Sequence, residues 1–231
     1  MALNTLTDES PPLAQRPASP SAREQALATL TREILNHRML PGQRLVERDL
    51  MEQLGVSRTT VRETIRVLAS QGLVTVHPGR GAAVASSSRS DAVDLYEVRG
   101  LLEPMVVERF IAQASLSQQD RLTVAVLELG EIADASQDSQ QILAARDAFY
   151  AALFEGAHSP ALQRLVETVQ ARVRVLCASA LSEEGRSKAA AAELREVVNA
   201  IRRRDTAQAT TLMREHIRMA SAATLRTLPP E

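Results

Sequence analysis

Residues 56–68 constrain this chain more than any other stretch. Val61, Ile65 and Leu68 recur at helical spacing on one side, and Arg58, Thr59, Arg62 and Arg66 occupy the other. Ser57 precedes them as a favourable N-cap. A helix-like run at 47–54 comes before, and Gly55 breaks it off. An apolar inner face, a Thr/Arg outer face and a preceding helix with a glycine break are what a helix-turn-helix requires. Arg58 and Arg62 are four residues apart, so both project from the N-terminal half of the helix toward one groove. An isolated helix of this kind would more often be a solvated basic surface, so its neighbours decide the matter.

The flanking sequence favours a DNA-binding head. Ala26, Leu30, Ile34 and Leu35 predict a helix from about residue 23 to His37, ended by the turn at Pro41-Gly42. Glu47 and Asp49 suit the positive N-terminal end of the second helix, and Arg48 lies beside them. After the third helix, Gly72 ends the helical pattern. Leu73-Val-Thr-Val-His then alternates as a strand, Pro78-Gly-Arg-Gly turns, and Ala82-Ala-Val-Ala returns. Such a hairpin could be an ordinary turn. Directly behind a helix-turn-helix it reads as a wing, in which Gly79 and Arg80 let the backbone approach a sugar-phosphate chain closely.

Three blocks in order, starting at Leu40-Pro-Gly-Gln-Arg-Leu, Leu54-Gly-Val-Ser-Arg-Thr-Thr-Val-Arg and Gln71-Gly-Leu-Val-Thr-Val-His-Pro-Gly-Arg-Gly, closely resemble the winged-helix domain of the GntR family of bacterial transcription regulators. Thr60 departs from the proline that most members carry, and a threonine also occurs there in the family's fatty-acid regulator. The resemblance implies base-edge contacts from Arg58 and Arg62. It also implies backbone contacts from Ser57, Thr59 and Thr60, with Arg48, Gly79 and Arg80 in support.

A length of 231 residues suffices for two modest domains. With no Trp, two Tyr and three Phe, their cores must be built from Leu, Val, Ile and Ala, which favours packed helices. The single cysteine, Cys177, excludes an internal disulfide and a cysteine-cluster metal motif. No signal core or membrane-length apolar run is evident, so the chain reads as cytoplasmic with no membrane partner. The formal charge of −1 hides an asymmetry. Residues 23–85 hold nine arginines against six acids, whereas residues 86–231 hold seventeen basic residues against twenty acids. A mildly basic head on a mildly acidic body suits a DNA-binding module joined to a module of another kind.

The expected architecture is mainly α. Residues 1–22, with four prolines and no periodicity, read as a disordered tail. A winged helix-turn-helix at 23–85, a polar linker at 86–90, an all-α antiparallel bundle at 91–226 and a tail at 227–231 follow. The bundle is predicted as helices at about 89–113, 117–135, 138–156, 160–182, 187–203 and 206–226. Val98, Leu102, Met105, Val106 and Ile111 form the predicted apolar stripe of the first, and Ala209, Leu212, Ile217 and Ala220 that of the last.

Leu95-Tyr-Glu-Val-Arg-Gly-Leu-Leu-Glu, Phe149-Tyr-Ala-Ala-Leu-Phe-Glu-Gly-Ala-His and Met213-Arg-Glu-His-Ile resemble signatures of the effector-binding domain of FadR-like GntR regulators. Many such domains hold a divalent metal with one aspartate and three histidines. Here the matching positions carry Arg146, Tyr150, Leu194 and His216. A guanidinium, a phenol and a leucine do not replace metal ligands, so no metal cofactor is expected. Asp147 is one residue out of phase and reads as a helix-surface carboxylate.

If the bundle packs as in the family, Arg99, Arg146, Tyr150, Arg172 and His216 face one cavity suited to a carboxylate or phosphate effector. For Arg99 and Arg172, pairing with a nearby protein acid is an equal alternative. The expected function is a homodimeric, effector-controlled repressor on a near-palindromic duplex DNA site. Two other classes remain open. One is an architectural DNA-binding protein without effector. The other is a hydrolase using Cys177 with His158 or His216, for which no orienting third group is evident.

Overall fold

The computed structural model describes residues 21–86, 88–136, 138–176 and 185–228. Most of the expected N-terminal tail, Cys177, the end of the predicted 160–182 helix and the last three residues lie outside them. The head opens with α1 (Ala22–Leu35), capped by Ser21, whose hydroxyl accepts the Glu24 amide while Glu24 reaches back to the Ser21 amide. This helix ends two residues before the predicted His37, which sits at φ 56° outside it. Next come β1 (Arg44–Leu45), α2 (Glu47–Leu54), α3 (Arg58–Ser70), β2 (Val74–His77) and β3 (Gly81–Val84). Gly55 adopts φ 64° and closes α2 by donating its amide to the Met51 carbonyl.

The strand order is β1-β3-β2, all antiparallel, with Val74 opposite Val84 and His77 opposite Gly81. Two-residue β1 was not foreseen, since so short a strand has no alternation to read. It pairs Arg44 with Ala83, and the adjoining loop is clamped where Gly42 donates to the Val84 carbonyl. Leu30, Ile34, Val61, Leu68 and Leu73 fill the head core, each fully buried side chain contributing roughly 1.5–3 kcal/mol. This core fixes the outward aim of the opposite face of α3.

The body consists of α4 (Arg89–Gln113), α5 (Leu116–Ala135), α6 (Ser139–Ala157), α7 (Pro160–Leu176), α8 (Arg186–Arg202) and α9 (Thr206–Thr227). Ser88 and Asp91 form a capping box, so α4 starts inside the stretch predicted as linker. Helix α4 lies at the centre, packed on α9, α6 and α7, while α5 packs on α6 and α8. Phe110, Phe149, Leu122, Leu153, Leu194 and Met213 are the large fully buried residues of this core. No helix among the described residues is long and apolar enough to cross a membrane.

The predicted α4 stripe holds in part: Val106 and Ile111 are buried and Leu102 packs against the core. Val98 and Met105 are exposed, and Leu101 between them is 70% exposed. Leu95, Tyr96, Arg99, Glu103, Val107 and Phe110 complete the inward face. The inward face includes a buried ion pair, which a hydrophobicity pattern assigns to solvent.

Helix α7 belongs to both modules. Val173 joins the body core, whereas Val175, with Ala171 against it, joins the head core. Arg172 packs its side chain over Gly72, where the head turns from α3 into β2 at φ 72°.

Candidate nucleic-acid interface and buried cavity

Helix α3 presents its basic face beside the start of α2. Ser57 accepts the Thr60 amide at 3.2 Å, and the two hydroxyls lie 2.9 Å apart, so this pair secures the helix start. Thr59 is exposed. Glu47 bridges the two arginines of interest: its Oε2 accepts Arg58 Nε–H at 2.7 Å and its Oε1 accepts Arg62 Nε–H at 2.9 Å. Hydrogen bonds from Arg62 and Arg58 hold the Glu47 carboxyl below the usual carboxylate range. Both arginines remain more than half exposed.

Arg44, Arg48, Arg58, Arg62 and Arg66 line one groove of about 530 Å³, with Glu47 as its acid. Arg48 is 81% exposed and, among the described residues, makes a long contact of 3.4 Å to Asp49. In the wing, Gly79 at φ 73° and Gly81 at φ 87° form the turn, and Arg80 is exposed between them. The groove role of Arg44 went unpredicted because β1 did. The bridging by Glu47 was missed because its partners lie 11 and 15 residues away; the sequence showed only an acid at a helix start.

The second site is a cavity of about 90 Å³ in the body, lined by Arg146, Arg174, Arg186 and His216 among apolar residues including Leu143 and Leu194. Of the five predicted effector residues, Arg146 and His216 line it with free or partly free polar groups. Arg146 is half-buried, and its Nε is shielded from solvent with no hydrogen-bond partner among the described residues. Burial, reinforced by nearby Arg174, lowers its pKa. Arg174 itself bonds to Asp147, so this carboxylate is exposed, as expected, but engaged.

Two predictions for this cavity, Tyr150 and Arg172, need correction, and for Arg99 the acid-pairing alternative holds. Arg99 touches the cavity, but its charge is neutralised by Glu103, Nε to Oε1 at 2.7 Å, within the same helix. Tyr150 lies behind the wall, where its hydroxyl donates to Glu103 Oε2 at 2.8 Å and takes a 3.4 Å contact from Arg99. Gln170 adds a bond to Glu103 at 3.0 Å. Burial opposes ionisation of Glu103, but Arg99 together with the bonds from Gln170 and Tyr150 outweighs it and lowers the pKa, while burial and Glu103 push the Tyr150 phenol up. Arg172 is not in the cavity at all; it lies on Gly72 of the head. Sequence spacing could not reveal that α7 turns successive residues toward different modules.

His216 Nδ1 lies 2.6 Å from Glu193 Oε2, and Arg186 bonds both oxygens of the same carboxylate at 2.7 and 3.0 Å. Burial lowers the His216 pKa, so the neutral ring donates from Nδ1 to Glu193. Burial works against the Glu193 carboxylate, yet the bonds from His216 and Arg186 bring its pKa down to about 2. The donor set does not fit a divalent metal. Arg146 brings positive charge, Leu194 offers no donor, and no cluster of three His, Cys, Asp or Glu suited to a metal occurs among the described residues. His158, the other histidine considered for a thiol pair, contacts Gln118 at 3.2 Å instead.

A winged head with an arginine groove, joined to a helical bundle enclosing a cavity, defines a two-module protein of the winged-helix class. Comparison with known families agrees. "Bacterial regulatory proteins, gntR family" matches residues 22–84, and the FCD domain matches residues 94–219. The chain is 29% identical over 143 residues to the HTH-type transcriptional regulator YdhC of Bacillus subtilis, covering 61% of this chain and 62% of that one. It is 30% identical over 134 residues to the HTH-type transcriptional regulator McbR of Escherichia coli, covering 58% and 60%. These matches therefore span somewhat less than two thirds of the relatives' length.

The solved structure of E. coli McbR superposes with a TM-score of 0.77 at 21% identity, covering 90% of this chain and 99% of that one. A GntR regulator structure from Rhodococcus sp. RHA1 gives 0.75 at 26% identity with the same coverage. The chain belongs to the GntR family and carries its FCD domain.

Proposed function

We propose that the protein is a homodimeric, sequence-specific DNA-binding transcription regulator, acting as a repressor, whose operator affinity is set by a small carboxylate in the FCD cavity. The arginine groove supports the DNA reading. Arg58 and Arg62 read base edges, guanine above all, while Arg48, Arg80, Thr59 and the Gly79 backbone contact the sugar-phosphate chain. One short recognition helix reads few base pairs, so useful discrimination calls for a two-fold related pair on a near-palindrome. Repression follows from the family resemblance.

One observation carries the effector reading: Arg146 places an unpartnered, solvent-shielded Nε on the wall of a cavity that also holds Arg174 and Arg186. A shielded guanidinium N–H without an acceptor is costly, and an anion that accepts from it relieves that cost. A volume of 90 Å³ is roughly three water molecules' share of liquid, which suits a short acid. The test is a thermal-shift screen of short carboxylates and inorganic phosphate, followed by DNA binding with the best stabiliser. Arg146→Ala abolishes the response while leaving DNA affinity within about twofold, because the sites lie in different modules. An unchanged response in Arg146→Ala refutes the anion site, and light scattering that reports a monomer refutes the dimer.

A further inference from the structure

Glu47 is out of place in a groove built to attract phosphate. Five arginines line that groove, and a carboxylate among them subtracts from its general attraction for nucleic acid. Its geometry supplies what it adds. Each Glu47 oxygen takes the Nε–H of a different arginine, at 2.7 Å from Arg58 and 2.9 Å from Arg62. A guanidinium has five N–H donors in a fixed plane. Spending Nε on Glu47 leaves the two Nη groups of each arginine, the end-on pair that matches the two acceptors of guanine O6 and N7. One carboxylate also ties both planes to the N-terminus of α2, so the arginines cannot reorient independently. Their side-chain freedom is restricted before any duplex arrives.

We infer that Glu47 is a specificity-determining positioning residue: without touching DNA, it orients Arg58 and Arg62 as one reading unit and suppresses binding to other sequences. This rests on the reading that the α3 face meets duplex DNA. The expected signature is opposite movement of two affinities. Loss of the charge strengthens binding to unrelated DNA, whereas loss of the anchor weakens binding to the preferred site.

The full-length protein is first used to enrich a motif from a pool of random duplexes. Dissociation constants for the enriched duplex and a scrambled one are then measured by fluorescence anisotropy at fixed salt, for wild type, Glu47→Gln and Glu47→Asp. Glutamine keeps the shape but offers a single acceptor oxygen. It should tighten scrambled-duplex binding about threefold through the lost charge and cut the specificity ratio about tenfold. The base positions that lose preference should be those lost in Arg58→Ala and Arg62→Ala. Aspartate keeps the charge but is too short to hold both arginines, so it should lower the ratio without tightening scrambled binding. A wild type that enriches no motif overturns the DNA reading and this inference together. An enriched motif with an unchanged ratio in Glu47→Gln, or equal weakening on both duplexes, overturns the inference alone.

Discussion

Replacing Glu103 with leucine should be among the most destabilising single changes in the body. Glu103 is fully buried and accepts from Arg99 at 2.7 and 3.5 Å, from Tyr150 at 2.8 Å and from Gln170 at 3.0 Å. Leucine fills a similar volume, so the packing loss is small and the cost is electrostatic. It strands a guanidinium that is itself only 4% exposed. Breaking such a pair from one side costs about 3–5 kcal/mol, a large share of the roughly 5–15 kcal/mol that stabilises a typical domain.

At about 2–4 °C per kcal/mol for a chain of this size, the melting temperature should fall by roughly 6–20 °C. Urea titrations followed by far-UV circular dichroism measure the change directly. The informative companion is Arg99→Met combined with Glu103→Leu, which removes both charges and should recover at least about 2 kcal/mol relative to Glu103→Leu alone. A single variant destabilised by less than about 1 kcal/mol, or a double variant no better than the single, would refute the reasoning.

Gly156→Ala should lower stability by about 1–3 kcal/mol despite a gain of roughly 1 kcal/mol in helix propensity. The added methyl would overlap the ring of fully buried Phe110 and lie 3.1 Å from the Ala114 Cβ, as thermal melts will register. Ser57→Ala removes the α3 N-cap and should cost about 1 kcal/mol in a urea titration. Acid should destabilise the fold in two stages, read as melting temperature against pH. Burial holds His216 and His37 below their ordinary 6.5, so the unfolded chain takes up protons first and stability falls as pH drops through 6.5. Glu193, held at about 2 against an ordinary 4.5, stabilises the fold above pH 4.5, and that contribution is lost as pH falls toward 2. Glu193→Gln should blunt the second stage, and an unaltered acid limb would contradict the assignment.

The parts of this fold legible in the sequence are those governed by local rules. Ser57, Gly55 and the Val61/Ile65/Leu68 spacing define α3, and the six body helices fall within a few residues of their predicted bounds where they are described. What escaped prediction depends on polar groups meeting across the fold. Arg99 and Glu103 look like a solvent-facing i, i+4 pair, yet Tyr150 and Gln170, brought in from α6 and α7, make burial tolerable and widen the inward face of α4 to include them. Arg174 and Arg186 carry no motif and enter the cavity only through the packing of α7 and α8. The arginines of the α3 face were nameable from the sequence, but the carboxylate that bridges two of them was not.

The sharing of α7 bears on any attempt to take the molecule apart. Val175 is almost fully buried in the head core although it lies some ninety residues beyond the linker, and Arg172 covers the backbone at Gly72. A fragment ending near residue 86 would therefore open a hole in the head core. A fragment beginning near residue 88 would present Val175 and Ala171 to water. Neither piece is a self-sufficient solute, and the aggregation or low yield expected of each is a property of the cut, not of the domain.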